Sequence, residues 1–182
     1  ETLLQKLQDN AIDLAVMGRI PVEIDAHAEP MASHPYVLIG PADHPLRDER
    51  RFDLHELRHE TFLLREEGSG SRRVAEEMFK NHLFTPARTI SMGSNETIKQ
   101  AVMAGMGISL ISLHTLPLEL KTAEVSLLDT IGTPIERTWY VVHMNCKRLL
   151  PAGQKFRSFL LDQAAIGLEK EFGRYLTLRS AH

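Results

Sequence analysis

SNETIKQAVMAGMGISLIS, residues 94 to 112, runs from a helix start through a glycine break into an apolar strand. Ser94 is a favourable N-cap, and Ile98 and Val102 recur at the spacing of a buried helix face. The apolar run after Gly107 is short enough to be a buried strand. Because ARTISMG, residues 87 to 93, predicts a strand before this helix, the segment is a strand–helix–strand unit, which indicates an α/β fold.

The same pattern occurs one unit earlier. TFLLRE, from Thr61 to Glu66, predicts a strand, and a Gly-Ser loop then leads into a helix that starts at Ser71. Further strands are predicted at YVLIG and RTWYVVHM, a Pro-bearing loop at 21–30, and a last helix from Pro151. Strands that alternate with helices predict a parallel or mixed sheet, and two turn-rich crossings suggest two lobes.

The composition excludes several classes of protein. With 182 residues, 43% hydrophobic and 25% charged, the chain is an ordinary globular sequence. A net charge of -3 gives no overall basic field for nucleic acid, so we expect no DNA binding by this chain alone. The single Cys146, which we expect to be buried, cannot form an internal disulfide. Because no apolar run approaches about 20 residues, we expect a cytoplasmic protein with no membrane partner.

Two loops are candidates for binding an anion. In α/β sheets, ligands bind beyond the carboxyl ends of strands, at helix N-termini. EEGSGSRR, from Glu66 to Arg73, offers backbone N–H groups, two serine hydroxyls and arginines. It is neither a Walker loop nor a dinucleotide fingerprint, because no Lys follows and Arg73 replaces the third glycine. The alternative is a tight turn whose serines only cap the helix.

The second loop runs from Gly93 to Thr97 and again opens a helix. Its alternative is an ordinary N-cap. Because the two loops follow consecutive strands, they would converge on one cleft. Arg19, just after a predicted strand, could pair with phosphate or carboxylate, or could simply face solvent.

HELRH, from His55 to His59, matches a pattern of zinc peptidases. A zinc-peptidase helix must be rigid and must bury its ligand face, whereas this segment is flanked by arginines and leads directly into the strand at Thr61. The remaining histidines are scattered, and local sequence gives none of them a Ser or Cys partner in the arrangement of a catalytic triad. We therefore expect no metal site and no enzyme activity.

Four stretches, in this order and spacing, resemble the effector-binding domain of LysR-type transcriptional regulators. Within that family they are most similar to regulators of Calvin-cycle (RuBisCO) operons, from about Leu3 to Leu161. The stretches are LLQKLQDNAIDLAVMG (3–18), YVLIGPADHPL (36–46), REEGSGSR (65–72) and SNETIKQAVMAGMGISLIS (94–112).

The resemblance implies a two-lobed, periplasmic-binding-protein-like (type 2) α/β fold, with mixed sheets and helices on both faces. Lobe I would comprise residues 1–43 and 127–182, and lobe II residues 44–126. The implied hinge residues are Gly40, Pro41, Leu128 and Asp129. The family's first strand and its N-terminal DNA-binding domain are expected to lie outside this chain.

The resemblance also implies a ligand-sensing function in the control of carbon-fixation genes. The effector would be a sugar bisphosphate, phosphoenolpyruvate or NADPH in the interlobe cleft, with no resident cofactor. The protein would be a homodimer or tetramer that contacts operator DNA through its N-terminal domain. A solute-binding protein or an enzyme on the same fold remains an alternative. The implied effector-binding residues are Arg19, Glu67, Gly68, Ser69, Gly70, Ser71, Arg72, Met92, Ser94, Asn95 and Thr97.

Overall fold

A computed structural model describes residues 3–180, and the side chains of residues up to 176. The chain divides into two compact units. Unit 1 combines the chain up to His34 with Glu136–Leu178, and unit 2 is Pro35–Ile135 together with Arg179 and Ser180. The strands are β1 (Ala15–Met17), β2 (Ala26–Ser33), β3 (Tyr36–Pro41), β4 (Thr61–Arg65), β5 (Arg88–Met92), β6 (Ser109–Ser112), β7 (Val125–Leu128) and β8 (Thr138–Met144). The α-helices are α1 (Leu3–Gln8), α2 (Gly70–Asn81), α3 (Asn95–Met103), α4 (Pro117–Lys121), α5 (Pro151–Phe159) and α6 (Ala165–Ser180), and a π-helical turn joins the last two.

Unit 1 contains a three-stranded antiparallel sheet in the order β1-β8-β2. Leu7, Ala15 and Val142 form its buried core. The sequence pattern predicts a loop at 21–30, where β2 begins. A strand forms there because β2 is an edge strand, and the ladder shifts register next to Pro30, where a missing N–H is tolerated.

Unit 2 contains both kinds of strand pairing, so the predicted mixed sheet is confirmed. β6, β3 and β7 pair antiparallel, whereas β4 and β5 pair parallel. A parallel bridge between Phe62 and Ile108 links the two groups. Phe62 packs edge-on against Phe79 of α2, with ring centroids 5.0 Å apart. Leu63, which points to the opposite face of β4, is also buried, as expected for a strand covered on both faces.

The predicted hinge residues lie inside unit 2. Gly40 and Pro41 belong to β3 and Leu128 to β7, and these strands pair with Leu38 opposite Leu128. Asp129 is buried, and its carbonyl accepts a hydrogen bond from Phe52. A boundary at 43/44 and 126/127 would therefore divide β3 from most of the sheet to which it is hydrogen-bonded. The chain instead passes between the units at 34/35 and 135/136.

Cys146 is exposed, because it follows β8 in a turn, so its predicted burial was wrong. Within residues 3–180, no helix is both long and apolar enough to cross a bilayer.

Candidate anion-binding site

The two predicted loops follow strands that end side by side. β4 and β5 pair parallel, with Arg65 opposite Met92. One residue further along, the Glu66 N–H donates to the Met92 carbonyl over 3.0 Å. Since both helix starts come directly after these strand ends, the structure brings the Glu66–Arg73 and Gly93–Thr97 loops to the same edge of the sheet.

The first loop turns sharply and leaves its serine without a capping bond. Gly68 has a φ of +85°, a conformation that glycine adopts without strain. Ser69 is the N-cap of α2, but its hydroxyl makes no capping hydrogen bond. The helix begins at Gly70, one residue before the predicted Ser71, and helix geometry leaves its first N–H groups without intrahelical acceptors. This helix start therefore offers donors to an anion.

A surface concavity lies over this helix start. Its volume is about 290 Å³, near the lower end of the range of small-molecule sites. Positive side chains and helix N–H groups lie beside two carboxylates. The lining residues are Glu67, Gly68, Ser69, Arg72, Arg73 and Glu76.

Arg65, which is not among the residues predicted from the sequence, connects the two loops. Its Nε and one Nη donate to the Glu66 carboxylate, each over 2.7 Å, and its other Nη donates to Asn95 Oδ1 over 2.9 Å. The hydrogen bonds from Arg65 lower the pKa of Glu66, which keeps the carboxylate charged. The position of Arg65 could have indicated a role at the site, because it is the last residue of a strand that ends at a candidate loop.

Arg72 occupies the inner side of the concavity. Its Nε donates to Glu76 over 2.8 Å, and its Nη1 donates to the Arg65 carbonyl over 3.2 Å. The Arg72 side chain is only 21% exposed, whereas that of Glu76 is 54% exposed. The Glu76 carboxylate is thus the partner that solvent or a ligand anion can most easily replace.

In the second loop, two of the predicted residues make the N-terminal cap of α3. The Ser94 Oγ accepts from the Thr97 N–H over 3.1 Å, and the two hydroxyls share a hydrogen bond of 2.8 Å. Asn95 contacts Arg65 instead, and Met92 contributes its carbonyl to Glu66. The capping alternative therefore accounts for Ser94 and Thr97.

Lys99, also absent from the sequence-based candidates, is held within α3 and against α4. Its Nζ lies 2.7 Å from a carboxylate oxygen of Glu96 and 2.7 Å from one of Glu119. Burial opposes its charge, but hydrogen bonds to the two carboxylates raise its pKa. This ion pair fixes α3, whose first turn carries Asn95.

Arg19 lies in unit 1, in the loop after β1. Its guanidinium donates to both carboxylate oxygens of Glu23, over 2.8 and 2.7 Å. The hydrogen bond from Arg19 lowers the pKa of Glu23 to about 2. In this structure, Arg19 is therefore already paired with a carboxylate.

The HELRH segment forms a capped turn. Only Leu54–Leu57 is helical, as a single 3₁₀ turn, and His59 lies beyond it. Glu56 accepts from the Asp53 N–H over 3.3 Å, while Asp53 accepts from the His55 N–H over 2.8 Å. Glu56 thus completes a capping box, and the two histidines do not share a helix face as zinc ligands would.

The chain belongs to the family of LysR substrate-binding domains, because the sequence pattern of that family matches residues 1–165. This match confirms the resemblance read from the sequence.

Two proteins with similar sequences are named as transcriptional regulators. The HTH-type transcriptional regulator CfxR of Cupriavidus necator is 66% identical over 95% of this chain and 55% of its own length. The RuBisCO operon transcriptional regulator of Allochromatium vinosum is 45% identical over 91% of this chain and 55% of its own length. The chain therefore spans about half the length of these relatives.

A solved structure supports the fold. The regulatory domain of CcmR from Synechocystis PCC6803, in complex with 2-PG, superposes with a TM-score of 0.82 at 38% identity. The match covers 87% of this chain and 76% of that domain. The two-lobed, periplasmic-binding-protein-like α/β fold is thereby confirmed.

Proposed function

We propose that this chain is the ligand-sensing part of a transcriptional regulator of carbon-fixation genes, and that it binds a small phosphorylated metabolite at the two loops of unit 2. The observation that carries the proposal is the pairing of β4 with β5, which brings two helix starts to one edge where Arg65 connects Glu66 with Asn95. Relatives named as RuBisCO operon regulators, and a neighbour bound to 2-PG, support the same reading.

The binding step would exchange one anion for another. Arg72 already neutralises a carboxylate at the concavity, and Glu76 is half exposed. A ligand phosphate could take the place of Glu76 and also receive N–H groups from the start of α2, as anions do at helix N-termini. Because the guanidinium keeps a charged partner throughout, exchange avoids the cost of leaving a partly buried cation unpaired.

The whole protein would convert binding into regulation by a population shift. A metabolite changes the balance between two conformations only if it binds one of them more tightly. The proposal includes a homodimer or tetramer in the cytoplasm, with operator DNA contacted through a separate N-terminal domain of the whole protein. A contribution of Arg19 to the ligand stays a prediction from the resemblance.

Calorimetric titration of the purified chain tests the binding step. 2-PG, phosphoenolpyruvate, a sugar bisphosphate and NADPH serve as ligands. Loss of a charge-assisted hydrogen bond costs about 1.5–3 kcal/mol, so Arg72→Ala should weaken the best ligand about 10- to 100-fold. Arg65→Gln should have a similar effect, because it removes the link between the loops.

Arg88→Ala is the matched control. Arg88 is exposed and begins β5, so it lies at the opposite end of the strand pair from Arg65. We expect wild-type affinity for this variant, and unchanged far-ultraviolet circular dichroism for all three. Equal dissociation constants in the wild type and in Arg72→Ala would overturn the assigned role of the first loop.

A further inference from the structure

Three potential metal ligands project from one face of the sheet in unit 1. His27 and Glu29 are separated by one residue on β2, so they point to the same side of the strand. His143 on β8 is the direct cross-strand partner of His27. One ligand atom from each residue lies within 4.8 Å of the others. We propose that these three residues bind a divalent first-row transition metal such as Zn²⁺, Co²⁺ or Ni²⁺.

The distances require only a small adjustment of side chains. Ligand atoms around a tetrahedral zinc ion lie about 3.3 Å apart, for zinc–ligand bonds of about 2 Å. His27 Nε2 is 3.8 Å from Glu29 Oε2. The rings of His27 and His143 are tilted by 48°, with centroids 5.4 Å apart, so they are not locked in a stack. The His27 side chain is 52% exposed and is free to rotate toward an ion.

Hydrogen bonds from outside the cluster orient two of the ligands. His143 Nδ1 lies 3.1 Å from the Met144 carbonyl oxygen, which can only accept, so Nδ1 is the donor in this contact and Nε2 is the nitrogen left for a metal ion. A histidine that binds metal through one nitrogen commonly donates from the other to a carbonyl. Arg157 of α5 donates to both oxygens of Glu29 and fixes that carboxylate.

The donor set determines the kind of ion and the strength of binding. Two imidazoles and one carboxylate suit zinc, cobalt, nickel or copper better than calcium or magnesium, which prefer oxygen ligands. Water would complete the coordination sphere. Arg157 offsets the charge of Glu29 and opposes a dication, so we expect a dissociation constant on the order of micromolar, weaker than in buried structural zinc sites.

Titration of the purified chain with ZnCl₂, followed by calorimetry, tests this site. We expect one zinc ion per chain, and an increase in the melting temperature because the ion binds the folded state. Co²⁺ should give visible absorption bands of a site with nitrogen ligands. His27→Gln/His143→Gln should reduce the affinity more than tenfold and abolish these bands. Glu29→Gln, which keeps both histidines, should produce a smaller loss.

A variant with two other histidines replaced provides the control. His55→Gln/His59→Gln removes the same number of imidazoles from the HELRH segment of unit 2 and should bind zinc like the wild type. Binding that survives in His27→Gln/His143→Gln, binding that is lost in the HELRH variant, or no stoichiometric binding by the wild type would each overturn the proposal. The site shares no residue with the candidate anion site, so the two proposals fail independently.

Discussion

The ion pair between Lys99 and Glu119 should contribute measurably to the stability of unit 2 and to the position of α3. Both side chains are largely buried, at 11% and 7% exposure, and Glu119 Oε2 has no hydrogen-bond partner in the described part of the chain. Lys99→Met leaves this buried carboxylate without its cation. Removal of one partner from such a pair costs about 3–5 kcal/mol when burial is complete. Because Lys99 is not fully buried and Glu96 is mostly exposed, we expect about 3 kcal/mol.

A double-mutant cycle separates the interaction from the cost of a lone charge. Glu119→Leu should destabilise by a smaller amount than Lys99→Met, because the remaining lysine keeps Glu96 as a partner. Lys99→Met/Glu119→Leu should recover most of the loss, since it removes both charges and keeps apolar volume. The coupling free energy should therefore be about 2 kcal/mol.

Urea unfolding monitored by circular dichroism measures the free energies, and hydrogen exchange of the α3 amides reports the local effect. The amides of α3 should exchange faster in Lys99→Met than in the wild type, whereas those of α6 in unit 1 should not change. If Lys99→Met unfolds within 0.5 kcal/mol of the wild type, or if the two single substitutions are additive, the pair does not stabilise α3 and this reasoning is wrong.

Two further predictions concern the stability of unit 2. Gly107→Ala would place a methyl group 2.2 Å from the Thr61 carbonyl oxygen, which is a backbone atom, so the free energy of unfolding should fall by more than about 2 kcal/mol. Urea unfolding measures this loss, and an unfolding midpoint equal to that of the wild type would contradict the prediction. Burial lowers the pKa of His44 and of His114 below 6.5, so below that pH the unfolded chain binds more protons and stability should fall. Melting temperatures at about pH 7.5 and 5.5 test this; His44→Gln/His114→Gln should reduce the decrease, and an equal decrease in that variant would exclude both residues as its cause.

The sequence predicts local units well where several local signals coincide. The β4–loop–α2 and β5–loop–α3 units could be located because glycine, serine and a buried helix face coincide there. β2 was missed because His27, Glu29 and Pro30 do not form an apolar alternation, and an edge strand does not need one. Its ladder to β8 is a long-range pairing that local patterns do not encode.

Contacts between segments that are far apart in sequence could not be predicted from local patterns. The PADHPL turn is a strong local signal, but it lies within unit 2, and the partner strand β7 that decides the boundary is far away in sequence. Arg65 was missed for the same reason: an arginine at a strand end has no motif. Its role becomes visible only when the parallel pairing brings Asn95, thirty residues later in the chain, within hydrogen-bond reach.

The two helix starts at the candidate site differ in whether the N-cap serine already makes a capping hydrogen bond. Ser94 already caps α3, so any ligand that recruits its hydroxyl must first break that bond, which costs about 1 kcal/mol. Ser69 makes no such bond, so α2 lacks the stabilisation that a capped start would have. Under the proposed function, the metabolite itself would supply the missing cap, and α2 would become more stable only while the metabolite is present. The first turn of α2 would then report occupancy directly, as amides that exchange slowly in the bound state and quickly in the free state.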